Sequence, residues 1–142
     1  MSDIYDLRRF IEAQDRVYKS VLNELRDGQK QGHWMWYIFP QIKGLGISPM
    51  AQKYAISSQE EAKAYSEHPI LGSRLRECTQ LVINVGVCSA KQIFHYPDDL
   101  KFRSCMTLFE HSARDNDIFR NALLKYFGGK PDQLTLDLLK KQ

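Results

Sequence analysis

The nine residues from His33 to Gln41 constrain the fold of this chain more than any other segment. They read HWMWYIFPQ and contain both tryptophans of the protein together with Tyr37, Phe39 and Pro40. Large aromatic side chains are unfavourable in water, and a buried Trp or Tyr also needs a hydrogen-bond partner for its polar tip. We therefore expect the segment to form either the centre of the core or the wall of a binding pocket.

Composition places the chain among ordinary globular proteins. With 142 residues, of which 43% are hydrophobic and 26% charged, it is long enough for a single domain, residues 1–142, with its own core. The 20 Lys and Arg residues exceed the 17 Asp and Glu residues only slightly. The charge balance therefore disfavours nucleic acid as a partner, and it indicates no membrane-binding surface.

The expected location is the cytoplasm. The start of the chain lacks the basic and apolar regions of a signal peptide. No apolar run approaches the roughly 18 residues of a membrane span. Three cysteines without a C-x-x-C spacing fit a reducing compartment better than a disulfide framework.

Helical periodicity runs through the chain, whereas the period-two alternation of strands is absent. Apolar residues recur at helical spacing over 7–25 and 69–85. Capping patterns predict helices over 50–55 and from Ser58 to Tyr65, and a short turn from Ser89 to Phe94. Further helices are expected from Asp98 or Asp99, over 117–127 and over 131–140. The predicted fold is all-α, a single compact multihelical domain of about seven helices with no sheet.

Acidic residues are absent from Gly28 to Gln59, whereas Lys30, His33, Lys43 and Lys53 all lie there. An aromatic, glycine-containing and locally positive segment suits an anionic ligand with a flat ring. Such a ligand would stack on the aromatic faces and bind backbone N–H groups. A buried aromatic loop that lacks acids fits the same pattern, and the sequence leaves both interpretations open.

A lysine and a hydroxyl share the apolar face of the helix that begins near Asp98. Lys101 and Ser104 lie one turn apart among apolar neighbours. A desolvated lysine would act as a nucleophile or base, or would hold an anion. The structural alternative is a packed stem with the ammonium in water.

Two further polar residues lie beside apolar helix faces. Gln14 either points inward or occupies the boundary of the first helix. Arg74 would bind a carboxylate or phosphate if half-buried, and would otherwise form a surface salt bridge. The four histidines show no metal-binding spacing, so neither a metal nor a cofactor is predicted.

Seven short motifs are spread over nearly the whole chain. They are Ala13-Gln14, the 33–41 segment, Gly44-Leu45-Gly46, Tyr54-Ala55-Ile56, His68 to Leu75, Asp98 to Lys101 and Ser104 to Phe109. Together they resemble the bacterial domain-of-unknown-function 1810 family, which implies a small all-helical cytosolic domain without an assigned reaction. The chain departs from the family pattern at His95, where Gly is usual, and at Cys105, where a second Ser is usual. Cys105 is therefore not an essential nucleophile of the family.

A second likeness lies in the C-terminal half. The basic turn at 101–103, the leucine-containing helix at 119–124 and the pair Gly128-Gly129 are similar in layout to the helical NADAR domains. That likeness implies chemistry of NAD and ADP-ribose, including an N-glycosidase reaction that removes ADP-ribose from modified bases.

The first hypothesis is binding, with or without hydrolysis, of a nucleotide or ADP-ribose-like anionic small molecule. A ring would stack on Trp34 or Trp36, while His33 and Gln41 would bind its polar edge. Lys101 and Arg74 would hold phosphates, or Lys101 would act as the nucleophile with Asp98 or Asp99 as acid-base partner. The predicted catalytic residues are Lys101, Asp98 and His33, and the predicted ligand-binding residues are Trp34, Trp36, Gln41, Arg74, Ser104, Thr107 and Gln14.

Two other hypotheses are open. The 33–41 segment could serve a non-catalytic protein-interaction module, as a groove or as core, with Trp and Tyr as anchors. Single-stranded nucleic acid could stack on the same aromatic residues, although the small net charge disfavours this. A monomer or a homodimer is compatible with each hypothesis.

Overall fold

The structure, a computed structural model, describes residues 3–142. Its helices in chain order are α1 (Arg8–Asp15), α2 (Tyr18–Arg26), α3 (Met35–Ile38), α4 (Pro49–Lys53), α5 (Gln59–Glu67), α6 (Leu71–Asn84), α7 (Ala90–Phe94), α8 (Asp98–Ser112), α9 (Asp117–Phe127) and α10 (Gln133–Lys140). In this part of the chain there is no strand, and an isolated parallel bridge joins Ile42 to Ile56. The predicted all-α class is confirmed.

The predicted number of about seven helices is wrong, since residues 3–142 form ten. The expected helix over 7–25 is divided into α1 and α2 because Val17 has a non-helical backbone, with φ −129° and ψ −3°. A single turn, α3, forms inside the aromatic segment, and the expected turn at 89–94 is a five-residue helix. These additional elements are too short to show periodicity in a sequence.

The N-terminal caps show where local patterns are reliable. Ser48 and Ser58 accept hydrogen bonds from the backbone N–H groups three residues later, as expected from the sequence. The expectation that Asp98 or Asp99 caps α8 is wrong. Pro97 occupies the N-cap, and the carboxylate of Asp98 contacts two lysines instead.

An aromatic cluster around Phe39 forms the centre of the core. Its ring meets those of Phe102 and Phe94 edge-on, with centroid distances of 5.0 Å and 5.7 Å, and lies 6.2 Å from Trp34. Phe94 and Phe102 stack on each other at 4.7 Å. Because α8 also packs against α5, α9 and α10, the cluster ties the aromatic segment to the most enclosed helix of the fold.

None of the helices within residues 3–142 is both long enough and apolar enough to cross a membrane.

His95 should be a site of backbone strain that glycine relieves. Between α7 and α8 it has φ 66° and ψ 158°, a conformation almost restricted to glycine. Such a conformation costs a residue with a β-carbon about 1–3 kcal/mol. Replacement by glycine would remove this cost, but about 0.5–1 kcal/mol of the gain is offset because glycine has more conformational freedom in the unfolded chain. We expect His95→Gly to raise the free energy of unfolding by about 1 kcal/mol in urea denaturation.

His95→Ala is the matched control, because alanine keeps the β-carbon and removes only the imidazole. It should leave the stability close to that of the native protein. Equal stabilisation by both substitutions would show that the imidazole, and not the backbone conformation, is unfavourable.

Candidate functional site

The aromatic segment divides its two tryptophans between the core and the surface. Trp34 is 2% exposed, and its indole N–H donates a 3.0 Å hydrogen bond to Glu24 Oε1. Trp36 is half-buried and forms part of a surface groove. Trp34 therefore serves the core, and Trp36 is the tryptophan that a ligand can reach.

The groove containing Trp36 lies between the loop before α4 and the beginnings of α8 and α10. Its volume of about 480 Å³ is within the range of small-molecule sites. Four residues that the sequence analysis selected line it together: Trp36, Gln41, Lys101 and Ser104. Most of the other lining residues are apolar, among them Leu45, Ile47, Leu100 and Leu134.

Lys101 brings a positive charge to the groove. Its ammonium lies 5.5 Å from the ring centroid of Trp36, close enough for a cation–π interaction, and 3.3 Å from Asp98 Oδ1. The other carboxylate oxygen of Asp98 lies 2.8 Å from the ammonium of Lys30. Because two lysines share one aspartate, the three residues keep one net positive charge.

Lys30 is a positioning residue that the sequence analysis did not select. Its side chain is only 8% exposed, donates a 2.6 Å hydrogen bond to the Gly32 carbonyl and lies 5.1 Å from the ring centroid of Trp34. It holds Asp98, which in turn holds Lys101 beside Trp36. Its position in the segment without acidic residues was the sequence signal that could have found it. However, lysines are seldom buried, and the sequence does not show that Asp98 is its ion-pair partner.

Asp132 contributes a carboxylate to the same groove and was also not selected. Ser104 Oγ lies 3.0 Å from Asp132 Oδ2 and 3.1 Å from the Leu100 carbonyl. Its single proton favours the carboxylate, since charge-assisted hydrogen bonds are the stronger ones. Asp132 also caps α10 through the backbone N–H of Thr135. An aspartate just before a helix indicates a cap, and this explains why it gave no functional signal.

Thr107 supports the groove from beneath. It is fully buried, and its hydroxyl accepts a 2.8 Å hydrogen bond from the backbone N–H of Asp132 while donating to the Arg103 carbonyl. Thr107 therefore positions the segment before α10 and has no exposed surface for a ligand.

Gln14 and Arg74 lie together outside the groove. Gln14 is 1% exposed, and its amide nitrogen donates to the Tyr37 carbonyl at 2.7 Å and to the Tyr65 hydroxyl at 3.0 Å. Its amide oxygen accepts from Arg74, which also forms a 2.8 Å ion pair with Asp15. These contacts join α1, α3, α5 and α6, and they engage the polar groups that we expected to bind a ligand.

Two other residues considered in the sequence analysis also lie away from the groove. His33 is exposed and is not part of the groove lining. Cys105 is fully buried, and burial raises the pKa of its thiol well above the usual value. A neutral buried thiol is unreactive, in agreement with the exclusion of Cys105 as a nucleophile.

The fold is that of a small all-helical protein with a groove beside its most enclosed helix. A family model described as a protein of unknown function, DUF1810, matches residues 4–139, and the chain belongs to this family. Among solved structures it is similar to the conserved hypothetical protein Rv1873 from Mycobacterium tuberculosis. The identity is 54% over 97% of this chain and 99% of that chain, with a TM-score of 0.96. No curated protein matches the chain. The likeness to NADAR domains stays a prediction.

Gln14→Leu should destabilise the protein strongly. The apolar side chain would leave the Tyr37 carbonyl, the Tyr65 hydroxyl and one N–H of Arg74 without a partner, and an unsatisfied buried group costs about 1–3 kcal/mol. We expect the free energy of unfolding to fall by about 2 kcal/mol or more in chemical denaturation. Gln29→Leu, at an exposed position, is the control and should change it by no more than about 0.5 kcal/mol. An unchanged stability of Gln14→Leu would contradict the structural role.

The carboxylate of Glu24 should make stability depend on pH. Burial is the largest single effect and raises the pKa of Glu24. Hydrogen bonds from the backbone N–H groups of Gly32 and Gln31 and from the Trp34 indole, together with the charge of Lys30, lower the pKa by more than burial raises it. The net result is a pKa below the ordinary 4.5. A carboxylate whose pKa is lower in the folded state stabilises the protein fully at pH values above its unfolded-state pKa. This stabilisation is lost as the pH falls through the folded-state pKa.

Glu24→Gln keeps the acceptor oxygen and removes the titration. We expect this variant to be less stable than the native protein at neutral pH and to lose less stability as the pH falls below 4.5 in denaturation experiments. Glu12→Gln, which changes a mostly exposed carboxylate, is the control and should follow the native profile. An equally steep loss in Glu24→Gln would assign the acid sensitivity to other groups.

Proposed function

We propose that this protein binds a nucleotide or ADP-ribose-like anionic small molecule in the groove between α8, α10 and the loop before α4. One observation carries the proposal: the ammonium of Lys101 lies 5.5 Å from the ring centroid of Trp36 in a groove that Gln41 and Ser104 also line. An aromatic face and a cation are thus next to each other, as a ring linked to a phosphate requires.

The binding mode follows from these positions. A flat ring would stack on Trp36, where base–aromatic stacking is worth about 1–3 kcal/mol. The ammonium of Lys101 covers the Trp36 ring and would move from it to the anionic group of the ligand. The flexible four-carbon stem of lysine permits this movement. The amide of Gln41 would bind the polar edge of the ring.

Binding, rather than hydrolysis, is the function that the arrangement of Asp98 supports. Each of its two oxygens is paired with an ammonium group, at 2.8 Å and 3.3 Å. Both oxygens are thus engaged by lysine side chains, so Asp98 is better placed to position Lys101 than to contact a substrate. Hydrolysis of an N-glycosidic bond is therefore a separate outcome to measure beside binding.

A second candidate function is docking of an apolar peptide. Three apolar side chains of the groove are unusually exposed: Ile47 at 89%, Leu134 at 63% and Leu100 at 45%. A peptide that covered them would remove this apolar surface from water. This observation favours a protein-interaction module over the nucleic-acid hypothesis.

Trp36 permits a direct test because Trp34 remains as a buried reference. Native protein and Trp36→Phe are titrated with NAD, ADP-ribose, adenosine monophosphate and adenosine, with tryptophan fluorescence and thermal shift as readouts. We expect saturable quenching and a raised melting temperature in the native protein, and loss of the quenching in Trp36→Phe.

Lys101→Met tests the contribution of the phosphate to binding separately from that of the ring. We expect it to weaken binding of the phosphorylated ligands about tenfold or more, equivalent to about 1.4 kcal/mol, and to leave adenosine almost unaffected. Lys91→Met, on the exposed side of α7, is the matched control and should bind like the native protein. Absence of binding by all four ligands would contradict the proposal. Binding of an apolar peptide that Ile47→Ser and Leu134→Ser abolish would favour the second candidate.

A further inference from the structure

Asp132 gives the groove a negative charge that phosphate binding does not explain. It lines the groove together with Lys101 and Ser104, at the start of α10. A carboxylate repels phosphate and offers nothing to the face of an aromatic ring. Capping of α10 accounts for Asp132 structurally, but a ligand that lies beside this carboxylate in the groove needs hydrogen-bond donors to match it.

The side chain of Asp132 is held in one orientation. Its Oδ2 atom accepts hydrogen bonds from Ser104 Oγ at 3.0 Å, from Thr135 Oγ1 at 2.6 Å and from the Thr135 backbone N–H at 3.2 Å. Donors on two helices thus fix the carboxylate from different directions. A preorganised group loses little conformational entropy when a ligand binds.

The second oxygen of the same carboxylate is free. Within residues 3–142, Oδ1 of Asp132 receives no hydrogen bond, and it is not among the buried polar atoms without a partner. It therefore keeps some contact with solvent, in a residue that lines the groove. A carboxylate oxygen has two acceptor positions, so this atom can take two donors that lie side by side.

Adjacent hydroxyl groups are the donors that fit this oxygen. An acidic side chain that accepts the ribose hydroxyl is a recurrent feature of dinucleotide sites. Lys101 and Ser104 are one helical turn apart, with β-carbons about 5–6 Å from each other. Because Ser104 holds Asp132, the ammonium of Lys101 and the carboxylate of Asp132 line the same groove, where one ligand can contact both.

We infer that Asp132 binds the vicinal hydroxyls of a ribose and makes the groove selective for ribosylated, phosphorylated rings over their deoxyribose counterparts. This inference rests on the proposed function of the same groove and specifies its ligand. In this arrangement Trp36 stacks on the ring of the ligand, Asp132 accepts hydrogen bonds from the sugar hydroxyls, and Lys101 binds the phosphate.

Asp132→Asn separates this role from the capping of α10. Asparagine caps helices about as well as aspartate, and its amide oxygen can keep the hydrogen bonds from Ser104 and Thr135. Its amide nitrogen would then take the position of the free oxygen, where it cannot accept hydroxyl donors. Asp137→Asn, at an exposed position on α10, is the matched control.

The experiment compares adenosine monophosphate and ADP-ribose with their 2′-deoxyadenosine forms by titration calorimetry. We expect the native protein and Asp137→Asn to bind the ribose forms about tenfold or more tightly. Asp132→Asn should bind ribose and deoxyribose forms alike, at a melting temperature within the range of the control. This pattern would support the inference.

Three results would overturn it. If the native protein binds both sugar forms equally, and this binding needs Trp36 and Lys101, the proposed function stands and the role of Asp132 fails. If Asp132→Asn keeps the discrimination but melts at a lower temperature, Asp132 is a helix cap only. If no adenine ligand binds the native protein, the proposed function and this inference both fail.

Discussion

The burial of Phe39 among Trp34, Phe94 and Phe102 is the constraint on which the rest of the structure depends. Edge-on contacts to Phe94 and Phe102 attach the aromatic segment to α7 and α8 from the inside. Since Trp34 joins this cluster, the single turn of α3 leaves Trp36 on the other side, next to Lys101. The groove is thus a consequence of how the core packs.

The segment without acids obtains its counterions from other helices. Glu24, on α2, binds the backbone of residues 31–32 and the indole of Trp34. Asp98, on α8, neutralises part of the charge of Lys30 and Lys101. A count of charges along the segment therefore overstates the positive potential at the groove, because buried cations need partners and find them elsewhere in the chain.

The resulting groove combines an aromatic wall, a lysine that shares Asp98 with Lys30, the carboxylate of Asp132 and an apolar rim. The carboxylate and the cation are both fixed by side chains that lie outside the groove or at its floor, among them Lys30, Thr107 and Thr135. Opposite charges at separate positions discriminate between ligands more than they increase affinity. Under the proposed function, this mixture suits a ligand with distinct polar parts better than a simple anion.

The sequence alone determined the helical class, the ends of α9 and the serine caps, because periodicity and capping involve residues within one or two turns of each other. It also selected Trp36, Gln41, Lys101 and Ser104 by residue type. Only the tertiary structure decided that Trp34 is core and Trp36 surface. Only the tertiary structure also decided that Arg74 and Gln14 lie outside the groove and that Asp132 lines it. These outcomes depend on residues distant in the chain, whose contacts arise only when the helices pack around Phe39.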